Sequence, residues 1–151
     1  MSDKFNTYVK YKEEYSNKFV SITSNFFKEG LKSIYDNTKE KNKVSKLILK
    51  EFQDELKNIP QWTQNIIDKE YNRIKLLSKC DYFDKLIEAI FFTYSQMLYE
   101  LNSETEKIKI PIPSHFIHTC YILLARKIWK KPELFYHKYS VKDLEKNSLE
   151  I

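Results

Sequence analysis

The sequence predicts an all-α protein that folds as a single domain, residues 1–151, in the form of a bundle of about five helices. Its 151 residues, of which 42% are hydrophobic, are enough for one core. One glycine and four prolines are too few for the many tight turns of a β-sandwich. Apolar side chains instead recur at steps of three and four residues, the spacing of one helix face.

The first helix is predicted to be the longest and to cover residues 1–36. About thirty residues at 1.5 Å each span about 45 Å, more than the shorter helices of the bundle do. We therefore expect its N-terminal part to project from the bundle as an arm. The alternative is a break near residues 16–17 and two short helices, and in either case residues 36–42 are predicted to form a polar connection. The apolar stripe of this helix runs through Phe5, Tyr8, Tyr15, Phe19, Ile22 and Phe26.

Two shorter helices are predicted next. The second helix covers residues 44–57 and ends before Pro60, because a residue that precedes proline is disfavoured in the α conformation. Either Asn58 or Thr63 is the predicted N-cap of the third helix, which ends near residue 79.

The fourth helix is predicted to be capped by Asp81, to end near residue 101 and to be the central one, since it is apolar around more than half of its circumference. Alternating isoleucine and proline in residues 107–113 (KIKIPIP) then force an extended path. Ser114 is the predicted N-cap of a fifth helix to residue 130, and a short last helix is predicted from Ser140.

Both tryptophans lie at helix boundaries near a proline, where an aromatic ring can fix the direction of the chain against the bundle. We therefore expect Trp62 and Trp129 to be mostly buried and structural.

No catalytic, cofactor-binding or metal-binding residues are predicted, and the protein is expected not to be an enzyme. A chain with one glycine cannot build a glycine-rich phosphate loop. His115 and His118 share a helix face, but Cys120 points about 200° away from His118, so the three do not converge as zinc ligands. Cys120 lies on the apolar stripe between Ile117 and Leu124, where cysteine usually serves as a small hydrophobic residue rather than a nucleophile.

Two cysteines and a charged N-terminal stretch without a signal-peptide pattern predict a protein of a reducing cytoplasm. No apolar run reaches the roughly 18 residues of a membrane span.

Positive charge is concentrated in residues 38–50 and 126–151, within a chain of net charge +5. Lysine predominates over arginine, which is a weak signal for nucleic-acid binding. The basic residues after residue 125 either complement the dipole of the fifth helix or contact an acidic protein surface, anionic lipid headgroups or nucleic acid. Together with the projecting part of the first helix they are the predicted partner contacts: Phe5, Tyr8, Tyr11, Tyr15, Arg126, Lys127, Lys130 and Lys131.

Several blocks of sequence, spanning roughly residues 20–137, resemble a family of small uncharacterised proteins encoded by nucleocytoplasmic large DNA viruses, the giant viruses. The blocks are Phe52-x3-Leu56-x2-Ile59-Pro60-x-Trp62-x7-Glu70-x2-Arg73-Ile74, then Cys80 and Leu86-Ile87, Ile110-Pro111-x2-Ser114-x-Phe116-Ile117-His118, and Ala125-Arg126-x-Ile128-Trp129-x2-Pro132-x-Leu134-Phe135.

The resemblance implies a context rather than an activity. It implies a virion structural protein, a minor capsid component that bridges major capsid subunits or connects the capsid to the inner membrane. Its expected locations are the virion and, during assembly, the viral factory in the host cytoplasm. The expected partners are the major capsid protein or other minor capsid proteins, with peripheral contact to the inner viral membrane and self-association as further options. The alternative is a basic nucleic-acid-binding accessory factor in viral transcription or genome packaging, although nucleic acid is the less expected partner.

Overall fold

A computed structural model describes residues 3–42, 44–102 and 109–135. Over these residues the chain forms an all-α bundle without a strand, as the sequence predicts. The helix predicted from Ser140 lies outside the described residues. The α-helices are α1 (Asp3–Lys41), α2 (Ser45–Asn58), α3 (Gln64–Ser78), α4 (Phe83–Leu101) and α5 (Pro113–Lys130), and two short 3₁₀ helices span Ile59–Gln61 and Pro132–Phe135.

Helix α1 is one continuous helix of 39 residues, which corresponds to a length of about 58 Å. It does not break near residues 16–17, and it continues to Lys41, so the polar connection predicted for residues 36–42 is wrong. The reason is tertiary packing: Tyr35 and Thr38 are buried, and the Tyr35 ring packs edge-on against Phe52 of α2 at 5.3 Å. Burial against α2 therefore stabilises about two additional helical turns.

The other helices meet α1 at successive points along its length. α4 runs antiparallel to the N-terminal half of α1: Phe19 packs against Phe83 at the start of α4 (6.0 Å between ring centroids). Further along, Lys12 Nζ lies 5.6 Å from the ring centroid of Tyr94. α3 contacts the middle of α1, and α2 covers its C-terminal part.

The central helix of the core is α5 rather than α4, so that prediction is wrong. α5 buries one whole side and packs against α2, α3 and both 3₁₀ helices. α4 packs mainly against α1, and much of its apolar circumference stays exposed. The apolar content of a helix does not tell how many neighbours cover it. The buried side of α5 consists of Ser114, Ile117, Tyr121, Ala125 and Ile128.

The predicted helix starts are right in one case and wrong in two. Thr63 is the N-cap of α3, and its hydroxyl oxygen accepts a hydrogen bond from the backbone of α3. Asp81 does not cap α4. A cap at Asp81 would require the helix to begin at residue 82, whereas α4 begins at the buried Phe83. Ser114 does not cap α5 either, because the helix already begins at Pro113, and proline is favourable at the first helical position. Residues 109–112 form no regular structure, consistent with the predicted extended segment.

Candidate interaction surfaces

In the described ranges, one end of the bundle is formed by two helices, α1 and α4. Phe116, in the first turn of α5, packs against Phe19 of α1 and Phe91 of α4, with ring centroids 5.2 Å and 5.3 Å away. Beyond these rings, α4 packs against α1. We call residues 3–18 of α1 and 92–101 of α4 the arm.

The predicted arm is therefore two helices rather than one, because α4 covers the apolar stripe of α1. Phe5, Tyr8 and Tyr15 lie on this stripe and are partly buried, and Tyr15 packs against the core. Tyr11 is exposed, and its ring lies 6.4 Å from that of Tyr15. Of the four aromatic contacts predicted on the first helix, Tyr11 is the most exposed, at 43%.

The outer side of the arm is an aromatic stripe on α4. Phe92 and Tyr99 are each 53% exposed, and a separation of seven residues places them on the same side of the helix. Ser95 and Gln96 lie between them. Phe92 and Tyr99 are not among the predicted contacts, although the sequence contains a signal for them: both fall outside the three-and-four spacing of the buried stripe of α4.

The C-terminal end of α5 carries the predicted basic residues, and Arg126, Lys127, Lys130 and Lys131 are all exposed. This end of α5 lies beside α2, because Gln53 Nε2 donates a hydrogen bond of 2.8 Å to the backbone oxygen of Trp129. The contact holds the basic residues on a packed helix.

The two tryptophans differ in their surroundings. Trp62 is partly buried and packs against the core, where its ring stacks on His118 at 5.8 Å and meets Tyr121 edge-on at 5.0 Å. Trp129 is 39% exposed, so the prediction that it is mostly buried is wrong. It lies in the last turn of α5, where it is covered on one side by Lys57, whose Nζ is 5.1 Å from the ring centroid.

A polar cluster lies between α1, α3 and α5. The Tyr121 hydroxyl donates to Glu70 Oε1 at 2.6 Å, and Arg73 Nε donates to Glu70 Oε2 at 2.9 Å. Arg73 Nη2 also donates to the backbone oxygen of Phe26, at 2.7 Å. Burial, and then the hydrogen bond to Glu70, raise the pKa of Tyr121 well above its usual range. The hydroxyl thus stays neutral, and the cluster connects three helices.

A second polar cluster joins α3 to the first turn of α4. Tyr71 Oη donates a short hydrogen bond to Asp84 Oδ1, and Lys75 Nζ donates to both residues, at 3.2 Å and 3.0 Å. Burial and the Asp84 hydrogen bond raise the pKa of Tyr71, and the hydrogen bond to Asp84 raises the pKa of Lys75. Tyr71 is thereby kept neutral and Lys75 protonated, an arrangement that suits a structural link.

The histidines and Cys120 have separate surroundings. His118 Nε2 lies 2.8 Å from the backbone oxygen of Ile59, and His115 Nε2 lies 3.3 Å from Gln64 Oε1. Burial raises the pKa of the Cys120 thiol to about 12, so the thiol is protonated near neutral pH. This agrees with the interpretation of Cys120 as a small core residue. Within the described ranges, no three His, Cys, Asp or Glu side chains are grouped so that they could hold a metal ion.

A family model described as a family of unknown function (DUF5764) matches residues 5–136. The chain belongs to the DUF5764 family. The match includes nearly all of the arm and the basic end of α5. No curated protein and no solved structure matches the chain.

The two groups of predicted contacts lie far apart in this DUF5764 chain. Phe116, at the base of the arm, and Lys130 are fourteen residues apart on α5, which corresponds to about 21 Å. The structure therefore does not bring the aromatic and basic residues together into one site. None of the helices in the described ranges is both long and apolar enough to cross a membrane.

Proposed function

We propose that the protein is a non-enzymatic bridging protein whose arm docks on another protein. The observation that supports this most strongly is the aromatic stripe on the outer side of α4, where Phe92 and Tyr99 are each more than half exposed. Large aromatic side chains on one face of a helix contribute most when a partner buries them, and tyrosine suits interfaces because its hydroxyl tolerates water.

The chemistry of the stripe favours a protein partner over nucleic acid. On this face only Ser95 and Gln96 lie between the two aromatic residues, and the residues one and two turns before Phe92 are one glutamate and one lysine, Glu88 and Lys85. A nucleic-acid surface would require an excess of positive charge along the contact. A neutral aromatic stripe instead matches an apolar groove in another protein.

The separation of the two surfaces supports a bridging role. The arm lies at one end of the bundle and the basic residues lie at the far end of α5. Two partners can therefore bind at once without competing for space.

The resemblance to giant-virus proteins supplies the context of this proposal. In that context the protein is a minor capsid component that bridges major capsid subunits, or that connects the capsid to the inner membrane. It would be present in the virion and, before assembly, in the viral factory of the host cytoplasm.

Mass spectrometry of purified particles tests this context. We expect the protein to remain with the particle through density-gradient purification. A photo-crosslinking amino acid at position 92 should yield an adduct with one structural protein, whereas the same amino acid in place of Leu76 on α3, 78% exposed, should yield none. Consistent absence from the particle would exclude the virion role.

The alternative function, nucleic-acid binding in transcription or packaging, depends on the exposed basic residues, among them Arg126 and Lys130. It predicts an affinity for duplex DNA that falls steeply between about 50 and 200 mM salt. A binding titration over this range distinguishes it from the bridging role.

A further inference from the structure

The outer side of α5 combines exposed apolar and basic side chains. Leu123, Arg126, Lys127 and Lys130 follow the spacing i, i+3, i+4 and i+7, which places them on one helix face. Leu123 is 52% exposed and lies one turn before the basic residues, while Trp129 is exposed beside them. We call these five residues the α5 surface.

Two of the cations of this surface, Arg126 and Lys130, are exposed to solvent. Neither Arg126 nor Lys130 forms a salt bridge with another residue in the part of the chain that the structure describes. Lys57 of α2 adds a further cation, since its Nζ is held 5.1 Å from the ring centroid of Trp129. The surface therefore presents several cations around two exposed apolar side chains.

We propose that the α5 surface docks peripherally on a membrane that contains anionic lipids. Lysine and arginine side chains are attracted to anionic headgroups, whereas leucine and tryptophan gain free energy by entering the boundary between headgroups and acyl chains. Tryptophan in particular favours this boundary because its ring is apolar and its N–H is polar.

The exposed apolar residues favour a lipid surface over nucleic acid. Leu123 gains nothing from contact with a phosphate backbone, and it can only be buried by a partner that offers apolar material. The contact between basic residues and headgroups needs no fixed geometry, so the predominance of lysine is no disadvantage.

This inference deepens the proposed bridging function, because it assigns a chemistry to the second partner, and it rests on that function only for the identity of the membrane. The binding itself does not involve the arm. The two proposals can therefore fail separately.

Co-sedimentation of the full chain with vesicles tests the inference. Vesicles with about 30% phosphatidylserine in phosphatidylcholine should bind the protein at least tenfold more tightly than pure phosphatidylcholine, and salt should weaken the binding. The double variant R126Q/K130Q should bind the anionic vesicles about ten- to thirtyfold more weakly. L123Q should also bind more weakly, with its charge unchanged.

The matched control is K69Q/K85Q, which removes the same charge from exposed positions on α3 and α4. It should bind nearly as the parent chain does, and circular dichroism should show that all variants are folded. Equal loss in R126Q/K130Q and K69Q/K85Q would overturn the inference, because binding would then follow net charge alone. So would an unchanged affinity of L123Q, or tighter binding to duplex DNA than to vesicles. The arm variant F92Q/Y99Q should bind vesicles as the parent chain does, because the arm does not take part in this contact. If the parent chain itself fails to bind vesicles, the proposal that the arm docks on another protein is unaffected.

Discussion

The hydroxyl oxygen of Tyr121 lies against the backbone of Gly30, so close that a Cβ atom at residue 30 would be 2.1 Å from it. Gly30 is the single glycine of the chain and is buried in the middle of α1. Its missing side chain creates the space in which α5 approaches α1. The Tyr121 hydroxyl is held in this space by Glu70, at 2.6 Å. Glycine is normally unfavourable inside a helix, and the close packing of Tyr121 explains why it is present at position 30.

The variant G30A tests this contact. Alanine improves helix propensity by about 1 kcal/mol, but the added methyl group must displace Tyr121 from its hydrogen bonds. We expect a net loss of about 1–2 kcal/mol in the free energy of unfolding, measured by urea denaturation.

The control for this prediction is the double variant G30A/Y121F. Y121F alone should cost about 1 kcal/mol, since Glu70 loses a hydrogen-bond donor. In the double variant the hydroxyl that the new methyl group would meet is absent. The loss of stability in G30A/Y121F should therefore be about 1 kcal/mol smaller than the sum of the losses in the two single variants. Strict additivity would show that the close approach of Gly30 and Tyr121 does not determine stability.

The two tryptophans should differ in their contribution to stability. W62A should cost about 3–4 kcal/mol, because the Trp62 ring packs against both His118 and Tyr121. W129A should cost no more than about 1–2 kcal/mol, because the Trp129 ring is partly exposed and packs mainly under Lys57. Urea denaturation of both variants measures the difference, and equal losses would contradict the described environments.

The free energy of unfolding should depend on Cys120 at high pH. Burial raises the pKa of its thiol from 9.0 to about 12, so the folded chain holds this proton more tightly than the unfolded chain does. The stabilisation is fully present below about pH 9 and is lost as the pH rises toward 12. The variant C120A lacks this group and is the control for all other titrations. Between pH 8 and about pH 10.5, stability should therefore fall more in the parent chain than in C120A, and an identical pH dependence would contradict the burial of the thiol.

The local features of the sequence were sufficient to place the helices. Apolar spacing is a property of neighbouring residues, and it located α1 to α5 to within a few residues at most ends. Pro60 marked the end of α2, and Thr63 was among the predicted caps, because both effects act within one helical turn.

The structural features that could not be predicted from the sequence depend on contacts between segments that are far apart in the chain. The extension of α1 to Lys41 depends on its burial by α2, and the approach of Tyr121 to Gly30 joins residues about ninety positions apart. The exposure of Phe92 and Tyr99 arises because, in the described part of the chain, α5 packs against α4 only as far as Phe91 and not along residues 92–101. Apolar spacing alone cannot show which apolar face has a neighbour.

The proposed bridging function depends most on docking of the outer side of the arm on another protein. The most direct measurement is the amount of protein incorporated into purified particles when F92Q/Y99Q replaces the parent chain, by quantitative mass spectrometry. The control L76Q removes another exposed apolar side chain, on α3, outside the arm. Because all three residues are largely exposed, both variants should melt as the parent chain does. We expect incorporation to fall at least tenfold for F92Q/Y99Q and to stay unchanged for L76Q, whereas normal incorporation of F92Q/Y99Q would contradict the proposed docking.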